Sequence, residues 1–238
     1  MKTLREIWHG QAAEWARFVR TPGHDRGNER FNLPRLVELL PPPGRRALDL
    51  GCGEGRLGRA LIPLGYRVVG VDASPAMVAL AAESQEAVVA DAAALPFEDG
   101  MFDLVTAFML LMDMDDPDAA IRETARVLEP GGRFCFCIAH PLATAGGYAE
   151  RAPGLPFVLT HPYFEERRTE LVSDRGGIRI DFVSLHRPLD AWTRALGEAG
   201  FAIEALREHA YPRELWKDEA AERWARIPLF LHVRAVRT

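Results

Sequence analysis

Cysteine is scarce: three residues in a chain of 238, Cys52, Cys135 and Cys137. That excludes a disulfide framework. In RFCFCIAH, Cys135 and Cys137 alternate with Phe134 and Phe136, so both thiols fall on one face of a strand as small buried side chains. A lone C-x-C is a poor zinc pattern, and no metal is expected. Long apolar runs are also missing. Nothing approaches a membrane span, and MKTLREIWHGQAAEWARFV lacks the apolar core of a signal peptide. Basic residues are in deficit, 29 Lys and Arg against 34 Asp and Glu, for a net charge of -5. Such a balance argues against sequence-independent nucleic-acid binding. No repeat or low-complexity segment is visible. The expectation is a soluble, cytoplasmic protein without a membrane or nucleic-acid partner, monomer or homodimer.

What is present fits one α/β domain over residues 1–238. Apolar residues make up 48 %, ample for a single core. The organising stretch is Ala47 to Gly55, ALDLGCGEG, completed by Asp72 at the end of VVGVD. An apolar run reaches Asp49, turns on Gly51, Gly53 and Gly55, and enters a helical pattern. Glycines let the backbone approach a ligand closely, and a carboxylate at the end of the next strand can hold two ribose hydroxyls. This is how an α/β protein builds a nucleoside crevice at the carboxyl ends of its strands.

The turn satisfies two templates. Gly53 to Gly58 reads G-x-G-x-x-G, the dinucleotide fingerprint, with Asp72 roughly 20 residues on. That pattern alone is weak. Asp49 discriminates, because a carboxylate two residues before the first glycine would repel a pyrophosphate. S-adenosylmethionine has no phosphate and carries a sulfonium and an ammonium, so an acid is welcome there. In the simplest structural alternative, Asp49 only bonds loop amides and the glycines serve a tight turn.

Around this stretch, helical spacing of Leu4, Ile7, Trp8, Trp15, Phe18 and Val19 predicts an amphipathic helix over 2–20. Thr21 to Glu29 reads as a loop. Asn32 is a candidate cap for a second helix with Pro34 in its first turn. Residues 1–40 thus form a helical segment able to act as a lid. Strands follow at 46–50, 67–71, 87–90, 102–107 and 133–139, with helices near 56–64, after Ser74-Pro75 and after Asp116-Pro117. EPGG, 129–132, ends the last of these. Five strand–helix alternations indicate a doubly wound, mostly parallel sheet. From 140 to 187 the rhythm breaks into an aromatic, Gly- and Pro-containing insertion. Within it, 169–172 and 178–183 read as a hairpin over the crevice, with Ile178, Ile180 and Phe182 on one face. Asp190 then caps a helix, FAIEALRE is a sixth strand, 211–226 is helix or loop, and 228–237 is a closing strand.

With LDLGCGEGRLGRAL, VVGVDASPAMVALA, DAAALPFEDGMFDLV, ARVLEPGGRF and HRPLDAWTRALGEAGF, the chain resembles the class I S-adenosylmethionine-dependent methyltransferases. It is most similar to the type 11, ubiquinone/menaquinone-methyltransferase-like branch. The resemblance covers Leu48 to Phe136 well and the C-terminal third loosely. It implies a Rossmann-like seven-stranded sheet whose last strand is antiparallel and hairpinned with strand six. It also implies that Asp49 and the turn Gly51, Cys52, Gly53 and Gly55 face the methionyl part of the cofactor. Asp72 would take the ribose hydroxyls, Ala73, Asp91 and Ala92 would edge the adenine, and Phe108 and Met109 would lie by the transferring methyl. Where many relatives carry a His or aromatic after strand four, Met112 and Asp113 stand here.

The expected function is S-adenosylmethionine-dependent methylation of a small-molecule acceptor by in-line displacement, with S-adenosylhomocysteine as product. The aromatic insertion favours a hydrophobic or aromatic acceptor. His140, directly after strand five, is the candidate base by position. It could equally be a turn histidine bonded to backbone. His161, Tyr163 and His186 are weaker candidates, and Arg167, Arg168 and Arg175 read as solvated loop charges. Two alternatives remain: an NAD(P)-dependent oxidoreductase, disfavoured by Asp49 and by the absence of a Tyr-x-x-x-Lys pair, and a non-catalytic S-adenosylmethionine-binding module.

Overall fold

The computed structural model describes residues 2–148, 150, 154–216 and 219–238. Two helices open it, α1 (Leu4–Gly10) and α2 (Ala12–Arg20). The single helix expected over 2–20 is broken at Gln11, whose backbone (φ -112°, ψ 12°) ends one helix and starts the other. Gly10, unfavourable inside a helix, sits at the break. α1 starts on a complete capping box between Thr3 and Glu6. A second helical stretch runs from Asn28 straight into α3 (Leu33–Leu39). Asn32 is therefore not a cap. It has helical dihedrals, and its side-chain amide donates to Asn28 Oδ1 at 2.8 Å.

The alternating part comprises β1 (Ala47–Leu50), α4 (Arg56–Leu61), β2 (Val68–Asp72), α5 (Pro75–Ala81), β3 (Glu86–Val89), β4 (Phe102–Phe108), α6 (Pro117–Val127) and β5 (Leu128–Ala139). Asp116 caps α6 as its sequence predicts, accepting from the Ala119 amide at 2.9 Å. EPGG belongs to β5 as a bulge, since Phe102 pairs with Leu128 and Leu104 with Arg133. The insertion holds α7 (Pro141–Ala145), β6 (Gly146–Tyr148), β7 (Phe157–Leu159), β8 (Arg167–Arg175) and β9 (Ile178–His186). Its residues 149 and 151–153 lie outside the described residues. The chain closes with α8 (Leu189–Glu198), β10 (Phe201–Glu208) and β11 (Phe230–Arg237). Between β10 and β11, short 3-10 turns occupy Arg213–Leu215 and Glu219–Ala225. Asp190 does not cap α8: Pro188 holds that position and Asp190 lies in the first turn.

Seven strands form one sheet in the order β10-β11-β5-β4-β1-β2-β3. All pairs are parallel except those of β11, which runs antiparallel to both β5 and β10. Phe134 and Phe136 pack in the core on one face with Leu48, Leu50 and Val105. Cys135 and Cys137 face the other way against Leu36, Leu57 and Leu61, fully buried as small apolar groups. The order reverses between β1 and β4, so their carboxyl ends open a crevice.

Over that crevice lies a second layer. β8 and β9 turn on Gly176-Gly177, both with positive φ (60° and 75°), as a two-residue hairpin requires. The loop is thus shorter and the strands longer than the sequence pattern suggests. Ile178, Ile180 and Phe182 point inward, as expected, and pack against Trp8, Trp15 and Phe18 of α1 and α2. Trp8 Nε1 donates to the Val183 carbonyl at 3.2 Å, and Gln11 exchanges two bonds with the Asp181 backbone. Asp115 accepts the first amides of α1, from Leu4 and Arg5, at 2.9 and 3.3 Å.

Candidate functional site

β1 delivers the chain to a turn that only glycine takes cheaply. Gly51, Gly53 and Gly55 have φ of 66°, 54° and 86°. A Cβ on Gly51 would also meet Leu110 Cδ1 at 2.5 Å, whereas Gly53 has nothing within 4 Å of that position. The turn is stitched to the end of β2. Cys52 donates its amide to the Val71 carbonyl at 2.9 Å. Asp72 accepts from the Gly53 amide at 2.9 Å and from the Ser74 amide at 2.8 Å. Ser74 occupies the N-cap position of α5, but its hydroxyl makes no capping bond and is buried and unpartnered.

Asp49 is 1 % exposed. Its Oδ1 lies 3.4 Å from the Thr106 hydroxyl, and Oδ2 has no partner. Burial pushes its carboxyl up to about 8, Thr106 opposes this, and Asp72 and Glu54 add to it. Asp72 is also raised, by burial against its two amide bonds. Burial raises the Cys52 thiol as well, so it stays protonated. Asp91 accepts from the Ala93 amide at 2.9 Å and pairs with Arg5 of α1 at 2.6 Å. Met109 has φ 57°, the one positive value at a non-glycine among the described residues. Such strain at a strand end is a mark of a functional position.

Asp49, Gly51, Cys52, Gly53, Asp72, Ala73, Asp91, Ala92, Phe108 and Met109 line one cavity of about 720 Å³. That volume falls within the range of ligand pockets, about 300–1,000 Å³. Gly55 is not on the wall; a Cβ there would lie 3.1 Å from Ala81 Cα, so it lets α5 approach the turn. His140 is not on the wall either. Its Nδ1 accepts from the Leu142 amide at 3.0 Å as the cap of α7, and Nε2 meets Glu208 at 2.7 Å. Burial lowers its pKa, against Glu208. His186 is fully buried between the Thr144 hydroxyl and the Tyr163 carbonyl, and the Tyr163 hydroxyl accepts from the Leu189 amide. Of the insertion arginines, Arg167 and Arg168 are half-buried and Arg175 is exposed, as a solvated charge would be. Arg167, Arg168 and Arg175 donate to the carbonyls of Thr144, Lys2 and His24.

The rest of the wall escaped the sequence reading as a site. It includes Trp8 and Trp15 from the N-terminal helices, Phe182 and Ser184 from β9, and Asp113 after β4. The Ser184 hydroxyl donates to Asp113 Oδ1 at 2.6 Å. Burial pushes the Asp113 carboxyl up to about 8, with Ser184 opposing. The position after β4 signals Asp113; nothing local signals Ser184.

This geometry agrees with the comparisons to known proteins. A family model described as a methyltransferase domain matches residues 48–136. The demethylmenaquinone methyltransferase of Clavibacter sepedonicus is 41 % identical over 118 residues, 47 % of this chain and 48 % of that protein. The ubiquinone biosynthesis O-methyltransferase of Xanthomonas axonopodis pv. citri is 37 % identical over 110 residues, 43 % of this chain and 46 % of the other. The chain spans about half the length of these two curated relatives. The solved S-adenosylmethionine-dependent methyltransferase of Mesorhizobium loti superposes with a TM-score of 0.68 at 30 % identity, covering 86 % of this chain and 96 % of that one. The chain belongs to the S-adenosylmethionine-dependent methyltransferases. The cofactor of this methyltransferase family fits the site. Asp49 Oδ2 is a buried acceptor with no protein partner, and a cationic ligand head supplies what it lacks. A pyrophosphate would instead meet two acidic side chains at the turn, the buried Asp49 and the half-buried Asp72.

Proposed function

We propose that this methyltransferase transfers a methyl group to a small-molecule acceptor by in-line displacement. One observation carries the reading: a single cavity joins the glycine turn to a chamber walled by Trp8, Trp15 and Phe182. When bound, the cofactor supplies an electrophilic methyl on a sulfonium and a neutral thioether leaving group. The chain's own task is to align and to keep water out. Asp49 and the turn Gly51 to Gly53 would hold the cationic methionyl end. Asp72, its carboxylate fixed by two amides, would present its free lone pairs to the ribose hydroxyls. Ala73, Asp91 and Ala92 would border the adenine, and Phe108 and Met109 would back the methyl. α1, α2 and the β8–β9 hairpin would act as the lid. Two of the relatives are named for menaquinone and ubiquinone, which supports a small acceptor. No helix among the described residues is long and apolar enough to cross a membrane, and the net charge of -5 suits a cytoplasmic protein free of nucleic acid.

Isothermal titration with S-adenosylhomocysteine, and with NADH in parallel, tests this. Binding of the first alone, at micromolar Kd, is expected. Binding of NADH, or of neither, would overturn the reading.

A further inference from the structure

We propose, resting on the methyl-transfer reading above, that the acceptor is an amine on an aromatic or apolar body, and that Asp113 holds and deprotonates its nitrogen. Asp113 ends the short turn Leu111–Asp113, four residues beyond the strained Met109, and lies on the wall of the cofactor cavity. Its backbone is fixed by its amide, which donates to the Leu110 carbonyl at 2.7 Å. Its carboxyl is fixed by the Ser184 hydroxyl on β9, at 2.6 Å. Among the described residues no lysine or arginine pairs with it, so its charge is left for whatever enters the cavity.

The wall also selects by charge. Its two arginines are committed, Arg5 to Asp91 at 2.6 Å and Arg56 to Asp25 at 2.5 Å. The remaining ionisable groups on that wall are mostly acids, among them Asp49, Asp72, Asp91, Asp115, Asp116 and Glu170, with His9 from α1. An anionic acceptor would meet acids without an uncommitted guanidinium. A protonated amine meets a carboxyl and the faces of Trp8, Trp15 and Phe182, which attract cations. The two tryptophans stand edge to face at 5.7 Å, and each is edge to face with Phe182, so the three rings on the wall lie at steep angles to one another.

The chemistry balances with these groups. The Asp113 carboxylate takes one proton from the ammonium and becomes a carboxylic acid. The nitrogen lone pair so freed forms the N–C bond while the C–S bond of the sulfonium donor breaks, its electron pair staying on sulfur as the thioether. The product is a methylated ammonium, and Asp113 returns its proton to solvent when the product leaves. A carboxyl that titrates near the working pH suits this relay, and burial sets Asp113 at about 8. Ser184 is a positioning residue: its hydroxyl favours the anion and aims it.

The test uses protein saturated with S-adenosylhomocysteine and three probes that share a body and differ in charge: 2-phenylethylamine, 2-phenylethanol and 3-phenylpropanoate. Calorimetry should show the amine bound about tenfold or more tighter than the carboxylate. Its Kd should fall as pH rises from 6.5 to 8.5, as Asp113 ionises. Asp113→Asn should abolish both the preference and the pH dependence while S-adenosylhomocysteine still binds. Ser184→Ala, which keeps the carboxyl, should move the pH midpoint upward. Equal binding of the three probes, tighter binding of the alcohol or carboxylate, or an amine preference that survives in Asp113→Asn would overturn the proposal. Failure of S-adenosylhomocysteine to bind the unaltered protein would strike the methyl-transfer reading instead.

Discussion

Replacing Asp49 by Asn removes a titratable group without removing its volume, and the consequences can be worked out. In the folded, ligand-free protein burial holds the Asp49 proton up to about pH 8, against 3.8 for an ordinary aspartate. The folded state is therefore the proton-rich one between these values, so stability falls as pH rises through that window. Each pH unit is worth about 1.4 kcal/mol, which gives about 4 kcal/mol at pH 7 as an upper bound, since water entering the cavity eases the burial. Asp49→Asn carries no such penalty. Its thermal midpoint should exceed that of the unaltered protein at pH 8 and should decline less between pH 5 and 8. The decline should persist in part, because Asp113 is raised in the same way. The cofactor side moves oppositely. A cationic head that ionises Asp49 should release about nine-tenths of a proton at pH 7, given a pKa near 8. Titration in buffers of different ionisation enthalpy reads this directly. The Asn variant should release less and should bind S-adenosylhomocysteine about tenfold to a hundredfold more weakly, the worth of a charge-assisted bond of about 1.5–3 kcal/mol. An unchanged Kd together with an unchanged pH slope would refute the reasoning.

Two further outcomes follow from the geometry. Gly51→Ala should cost about 1–2 kcal/mol for its left-handed backbone and about 1–3 kcal/mol for collision with Leu110; adding Leu110→Ala should recover only the second part in chemical denaturation. His140→Asn keeps a good helix cap but loses Glu208, so it should lower stability by about 1 kcal/mol and leave S-adenosylhomocysteine affinity unchanged. A marked loss of affinity in that variant would return His140 to the site.

The alternating half of the fold is legible because its determinants are local. Apolar runs bounded by glycine give β1, β2 and β4 almost to the residue, and the acids at strand ends give the crevice. The hairpin is legible too, although two glycines in left-handed conformation let its strands run closer together than a five-residue loop would. Capping was less legible. Asn32 lies within a continuous helical run, Pro188 displaced Asp190, and the Ser74 hydroxyl at the start of α5 makes no capping bond. The chamber was least legible. Asp113 and Ser184 are 71 residues apart, and Trp8 lies 175 residues from the carbonyl it bonds. No periodicity reports such pairings, which exist only once the sheet has set where β9 lands.

α1 is fastened on both sides of the crevice: to the cofactor rim through Arg5 and Asp91, to the loop after β4 through Asp115, and to the hairpin through Trp8. In the lid role proposed above, α1 would release spent cofactor and finished product through one opening, and the rate at which it lifts would set the traffic through the cavity. Loosening α1 would then shorten residence for both at once, and the sheet beneath need not move.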